Sequence, residues 1–88
     1  MTIQTKRIGV VSHWYSNLQV AAVELTDGDL HVGDRIHVLG HTTDYEQSVG
    51  SMQIDHHQVY EGHVGDSIGI KLGDHAREHD VVYLVEES

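Results

Sequence analysis

Apolar and polar residues alternate in short runs between glycine- and aspartate-containing turns, and no stretch keeps a helical period beyond two turns. In Gln19–Leu25 the alternation places Ala21, Val23 and Leu25 on one face and Val20, Ala22 and Glu24 on the other. The single charge, Glu24, marks the second face as the outer one. Asp27-Gly28-Asp29 and Gly33-Asp34 are turn signals. Arg35–Leu39 alternates again with Ile36 and Val38 inward, and Ser67–Leu72 does so with Ile68, Ile70 and Leu72 inward. Val81–Val85 is apolar throughout, as in a strand covered on both faces.

One segment falls out of phase. Val49 is odd-numbered, whereas the next apolar residues, Met52 and Ile54, are even-numbered, and a period of two cannot bury all three without an inserted residue. A bulge within Val49–Met52, at Gly50-Ser51, is the expected solution, and a bulge lets a strand turn a barrel corner. The pattern therefore predicts an all-β fold, a small closed six-stranded barrel. Its core is expected to hold Val11, Ala21, Val23, Leu25, Ile36, Val38, Met52, Ile54, Ile68, Ile70 and Leu72. Residues 1–88 read as a single domain without linker, low-complexity tract or internal repeat.

Composition narrows the function classes. Cysteine is absent, so neither disulfides nor a cysteine zinc ribbon can staple the fold. Fourteen acidic residues face five Lys and Arg, for a formal net charge of −9, which argues against phosphate-tracking nucleic-acid binding. Such an acidic surface also suits a protein kept soluble at high salt, so a halophilic source is one expectation. No apolar run approaches the roughly 20 residues of a membrane span and no signal-peptide pattern opens the chain, so a cytoplasmic location is expected.

Five stretches carry a family resemblance. They are Ile8-Gly9-Val10-Val11-Ser12-His13; Leu30-His31-Val32-Gly33-Asp34-Arg35-Ile36; the run Gly40–Val49 followed by Ser51-Met52-Gln53-Ile54; Gly65-Asp66-Ser67-Ile68-Gly69-Ile70; and Asp80-Val81-Val82-Tyr83. Together they resemble the β-barrel second domain of translation elongation factor Tu. They are more closely similar to the stand-alone translation elongation factor-like proteins and to the C-terminal barrel of collagenase-like peptidases. The resemblance implies a barrel that binds a protein partner or a tRNA end, in translation or RNA modification. In the Leu-x-x-Gly-Asp pieces the glycine can supply a positive φ, and Asp34 and Asp66 can accept backbone N–H bonds in the turn that follows. No Gly-x-x-x-x-Gly-Lys-Ser/Thr loop is present, so the chain is expected not to bind GTP.

Candidate chemistry is sparse. Nine histidines raise the question of a metal site, with His56, His57 and His63 as one group and His75 with His79 as another. On a strand His56 and His57 would point to opposite faces, and Gly73-Asp74 and Asp80 mark the His75–His79 stretch as loop rather than helix. These histidines are read as polar surface. Ser12, His13, Asp27 and Asp29 form no catalytic signature, so neither enzymatic activity nor a cofactor is expected. Trp14 and Tyr15, adjacent in the turn after the first strand, cannot both face the core, and one is free to stack on a ligand. With Arg35, Lys71 and Arg77 they make up the candidate binding residues. A histidine-rich metal-binding protein and a stand-alone barrel subunit of a larger enzyme are the alternative readings.

Overall fold

The computed structural model describes residues 3–87. They form the strands β1 (Ile3–Tyr15), β2 (Val20–Leu25), β3 (Leu30–His31), β4 (Arg35–Leu39) and β5 (Asp44–Ser48), followed by β6 (Met52–Ile54), β7 (His57–Val59), β8 (Glu61–Gly62), β9 (Ser67–Lys71) and β10 (Val81–Glu87). Eight of them make one antiparallel sheet in the order β5-β4-β10-β1-β2-β9-β6-β7, and β3 pairs with β8 in a separate ribbon. Among the described residues there is no helix, and hence none long and apolar enough to cross a membrane.

The long strand β1 curls the sheet. Its register slips by one residue at Ile8 against β10 and again at Ser12 against β2. Each slip inserts a residue and sharpens the local twist. The Ile8 bulge also breaks the alternation, so that Ile8 and Gly9 are both buried. At Gly9 a Cβ would run into the Glu24 carbonyl of β2, so only glycine fits there.

The expected closed six-stranded barrel is not what forms. The sheet has eight strands, and β5 and β7 are its edges, with no backbone ladder joining them. The expected bulge within Val49–Met52 is absent as well: Val49, Gly50 and Ser51 leave the sheet altogether. Breaking the strand solves the phase problem as effectively as a bulge, because Val49 and Met52 then belong to different pairings and both are buried. Side chains bridge part of the gap. Gln47 of β5 donates from Nε2 to the Lys71 carbonyl (3.1 Å) and accepts at Oε1 from the Gly73 N–H (2.8 Å). The Tyr45 hydroxyl donates to the Asp74 carbonyl at 3.2 Å. One primary amide thus supplies a donor and an acceptor where a ladder would supply backbone groups.

Ten of the eleven expected core residues are buried, and Ile54, beside the β6–β7 turn, is only partly covered. Ile8, Leu30, Val49, Ala76 and Val82 join them from positions that alternation did not reach. β10 lies between β1 and β4, and no residue of Val81–Val85 is exposed, in line with its unbroken apolar run.

One four-residue turn recurs three times, at His31–Asp34, His63–Asp66 and Arg77–Asp80. In each, the first N–H donates to the fourth residue's Asp Oδ2 (2.9 Å in all three). The Asp N–H returns the bond to the first carbonyl, at 3.0, 2.8 and 3.1 Å. The third residue is left-handed: Gly33 at φ 98°, Gly65 at 99° and His79 at 76°. Asp34 and Asp66 therefore accept from the residue three positions before them, not from the turn that follows. Each turn then docks on one buried aliphatic residue through a reciprocal backbone pair, to Val49, Leu25 and Val11 respectively. Three loops are fastened to the core by the same device.

Candidate functional site

Two of those turns are copies of one sequence. Asp29–Asp34 reads Asp-Leu-His-Val-Gly-Asp, and Glu61–Asp66 reads Glu-Gly-His-Val-Gly-Asp. The chain thus does contain an internal repeat, which the strand pattern alone did not reveal. The ribbon pairs Leu30 with Gly62 and His31 with Glu61, so the copies lie antiparallel and side by side. Gly62 is what lets them approach: a Cβ there would press on Ile68 and Leu25 at 3.1 Å, beside the buried Leu30.

Antiparallel pairing sets the histidine of each copy against the acid that opens the other. His31 Nε2 lies 3.3 Å from Glu61 Oε2, and His63 Nδ1 lies 3.4 Å from Asp29 Oδ1. Two further contacts link the groups into a chain: His31 Nδ1 to Asp34 Oδ2 at 3.6 Å and His63 Nε2 to Glu61 Oε1 at 3.8 Å. Asp29 is also held from behind by the Val64 N–H at 3.4 Å. The order Asp34–His31–Glu61–His63–Asp29 alternates acid and imidazole throughout. All but Asp34 have more than half of the side chain exposed, so these pairs add little to stability. The arrangement concentrates three carboxylates and two imidazoles at one surface point, beside an open cleft of ≈310 Å³ lined by Lys6, Ile8 and Leu84 among others.

A second polar cluster surrounds the third turn. Asp80 is buried against Gly40, and Thr43 is buried nearby in sequence with its hydroxyl unbonded. Burial, with the Asp74 and Asp80 carboxylates adding to it, pushes the Tyr45 phenol up to about 12. The His75 N–H and ring, both bonded to Asp74, hold that exposed carboxyl below the usual range.

The residues proposed from sequence are distributed over several faces. Trp14 and Tyr15 are the last two residues of β1, not a turn after it; Trp14 packs on the core and Tyr15 is half exposed, edge-on to His13. Tyr15 pairs with Val20 and Val20 with Lys71, so Tyr15 and Lys71 flank one outward row. That row borders a shallow groove of ≈360 Å³ with Leu18, Gln53 and Gly69 along it. Arg35 is on β4, separated from β9 by three intervening strands in the sheet order, and its Nε bonds Glu46 at 3.1 Å. Arg77 opens the third turn.

The histidines separate in the same way. His56 is in the β6–β7 turn, left-handed at φ 67°, and not in a strand as expected, while His57 begins β7. His75 and His79 are in loop, and among the described residues only His63 of the proposed metal candidates belongs to a multi-residue cluster. The sequence reading missed His31 and Glu61, and weighed Asp29 only beside Ser12, His13 and Asp27 as a candidate for catalysis. The repeated His-Val-Gly-Asp tetrapeptide was the signal that could have found them.

No family model matches the chain. It is 43% identical over 82 residues to the uncharacterized protease MJ0090 of Methanocaldococcus jannaschii, an alignment that covers 92% of this chain and 20% of the protease. The chain thus spans about a fifth of the length of that curated relative. Among solved structures, the C-terminal domain of a putative U32 peptidase of Geobacillus thermoleovorans superposes with a TM-score of 0.84 at 13% identity, covering 93% of both chains. Its selenomethionine variant superposes at 0.82 with 12% identity, over 88% of this chain and 96% of that one. These matches support the peptidase side of the resemblance and lend none to the elongation-factor side. At such identities they establish a fold: the all-β architecture of this chain is that of a U32 peptidase C-terminal domain.

Proposed function

We propose that this chain is a non-catalytic accessory module of a U32-type peptidase, the counterpart of the C-terminal domain that such enzymes carry. The observation that carries the reading is the 43% identity to a protease over 92% of this chain, confined to one fifth of that protease. A segment that small, with its own core and three turns fastened to it, is a building block for binding or positioning. In this reading the curled sheet is a barrel whose seam is held by Gln47 and Tyr45. Its partner is a protein surface, in keeping with a net charge of −9 that disfavours a tRNA phosphate backbone.

Domain exchange tests it. MJ0090 is expressed with its matching segment deleted, and again with that segment replaced by this chain. The chimera is expected to cleave casein as the parent does, the deletion to lose activity, and this chain alone to cleave nothing. Cleavage by the isolated chain, or a deletion as active as the chimera, would overturn the proposal.

A further inference from the structure

We propose that the outer face of β4, β10 and β1 is the surface by which this module docks on the catalytic body of a U32-type peptidase, which meets it with an apolar patch edged by Lys and Arg. The proposal rests on the accessory-module reading above and adds the contact surface to it.

β10 is apolar at every position from Val81 to Val85, the pattern of a strand covered on both faces. The chain itself covers only one of them. Val82 is in the core and Leu84 packs on it, whereas Val81, Tyr83 and Val85 alternate to the other face and neither join the core nor pack against it. Register widens this outer stripe. Val81 lies between Leu39 of β4 and Val10 of β1, Tyr83 between His37 and Arg7, and Val85 beside Arg35. Leu39 is 39% exposed, and a cleft of ≈250 Å³ opens beside Val85. On β2, β9 and β6 the outward row is instead Ala22, Gly69 and Gln53, small and polar. The apolar outer face is thus particular to three strands and not a property of the whole sheet.

Size and charge select the occupant. Three strands about 4.8 Å apart, each with three outward residues about 7 Å apart, make a patch of roughly 300 Å². Separate proteins need about 800 Å² per partner for a stable complex, whereas domains of one chain meet over as little as about 600 Å² in total. Acids edge the patch on both sides, with Asp44 and Glu46 of β5 beside Leu39 and His37, and Glu24 of β2 beside Val10. Arg7 and Arg35 are each met by a carboxylate already, from Asp27 at 3.9 Å and Glu46 at 3.1 Å. At a net charge of −9 a second copy would set acid against acid, so the charge complement is a basic edge. In MJ0090 about four-fifths of the protein lies outside the matched segment, a body large enough to carry such a patch.

The test compares the isolated chain with the MJ0090 chimera that carries it, by hydroxyl-radical footprinting read by mass spectrometry. Tyr83 and Leu39 should label at least about threefold more slowly in the chimera, as residues at the centre of a contact do. Tyr60 and Leu18, exposed at 75% and 66% outside this face, should label alike in both. The double variant Val81→Lys/Val85→Lys should return Tyr83 in the chimera to the rate of the isolated chain and lower casein cleavage. In the isolated chain the same variant should move the thermal midpoint by less than about 4 °C, because both side chains point away from the core. A chimera that cleaves casein while Tyr83 labels as fast as in the isolated chain overturns this surface and leaves the accessory reading standing. A chimera that cleaves nothing overturns that reading, and this surface with it. Tyr83 protection in the isolated chain that grows with concentration, alongside a dimer in sedimentation, would overturn the proposal in favour of a second copy.

Discussion

The two His-Val-Gly-Asp turns and the Arg77–Asp80 turn share one hydrogen-bond scheme, yet the protein uses them differently. The first two sit side by side on the ribbon, with Asp34 and Asp66 only partly covered and their histidines on the surface. The third faces inward: Asp80 is 4% exposed and Gly40 packs directly against it. The first two place glycine in the left-handed position, whereas the third places His79 there. The lesson is that the turn itself is a fastening, and its surroundings decide whether it also presents chemistry. Where a second copy lies alongside, polar side chains converge in solvent. Where the core closes over it, the aspartate becomes part of the packing.

The largest expected effect probes that burial. Gly40→Ala would drive a Cβ into the Asp80 carboxylate, which is fixed by its bond from Arg77, and should cost about 2–3 kcal/mol in urea unfolding. Gly50→Ala, with nothing within 4 Å of the new atom, should change stability by less than about 0.5 kcal/mol. Equal effects would mean that the third turn is no more tightly packed than an open loop.

Next comes the left-handed position itself. Gly33→Ala and Gly65→Ala meet no neighbour within 4 Å, so their cost is purely conformational, about 1–2 kcal/mol each. A neutral outcome at both would remove the reason for glycine in the repeat.

Tyr45→Phe tests the roof of the third turn by pH. The variant loses the bond to the Asp74 carbonyl, about 1 kcal/mol at neutral pH. In the parent, the folded phenol titrates at about 12 against an ordinary 10.0. Below pH 10 it is protonated in both states and its contribution is intact. Between pH 10 and 12 the unfolded chain loses the proton while the folded chain keeps it, so stability falls as pH rises. The parent should therefore lose stability more steeply than Tyr45→Phe in thermal melts across that window, and parallel curves would contradict the burial argument.

The smallest effect has the opposite sign. His79→Gly relieves a non-glycine residue at φ 76° and should stabilise by about 0.5 kcal/mol, the gain being reduced by glycine's freedom in the unfolded chain. Destabilisation would show that the His79 side chain contributes packing that outweighs its strained backbone.

Much of the fold was legible because period-two alternation is a local property. Arg35–Leu39 was read with the bounds of β4, and Ile36, Val38, Ile68 and Ile70 with the correct inward face. Alternation failed at β1, where two bulges shift the phase, and at Val49–Ser51, where the chain leaves the sheet. β3 and β8 were invisible for a simpler reason: two-residue strands have no period to detect. The binding residues proposed from sequence were chosen by type, and type does not reveal that Arg35 and Lys71 lie on strands with three others between them.

By itself the sequence determined the all-β class, most of the core and the places where turns form, since each depends on residues within a few positions of one another. It also contained both copies of His-Val-Gly-Asp, as letters without a relation. Only the tertiary structure joined them, because the pairing of His31 with Glu61 spans thirty residues and rests on Leu30, Gly62 and the core beneath the ribbon. A local pattern fixes which way a side chain points from its own strand. Which other side chains it meets is set by register between distant segments, and that is decided by packing.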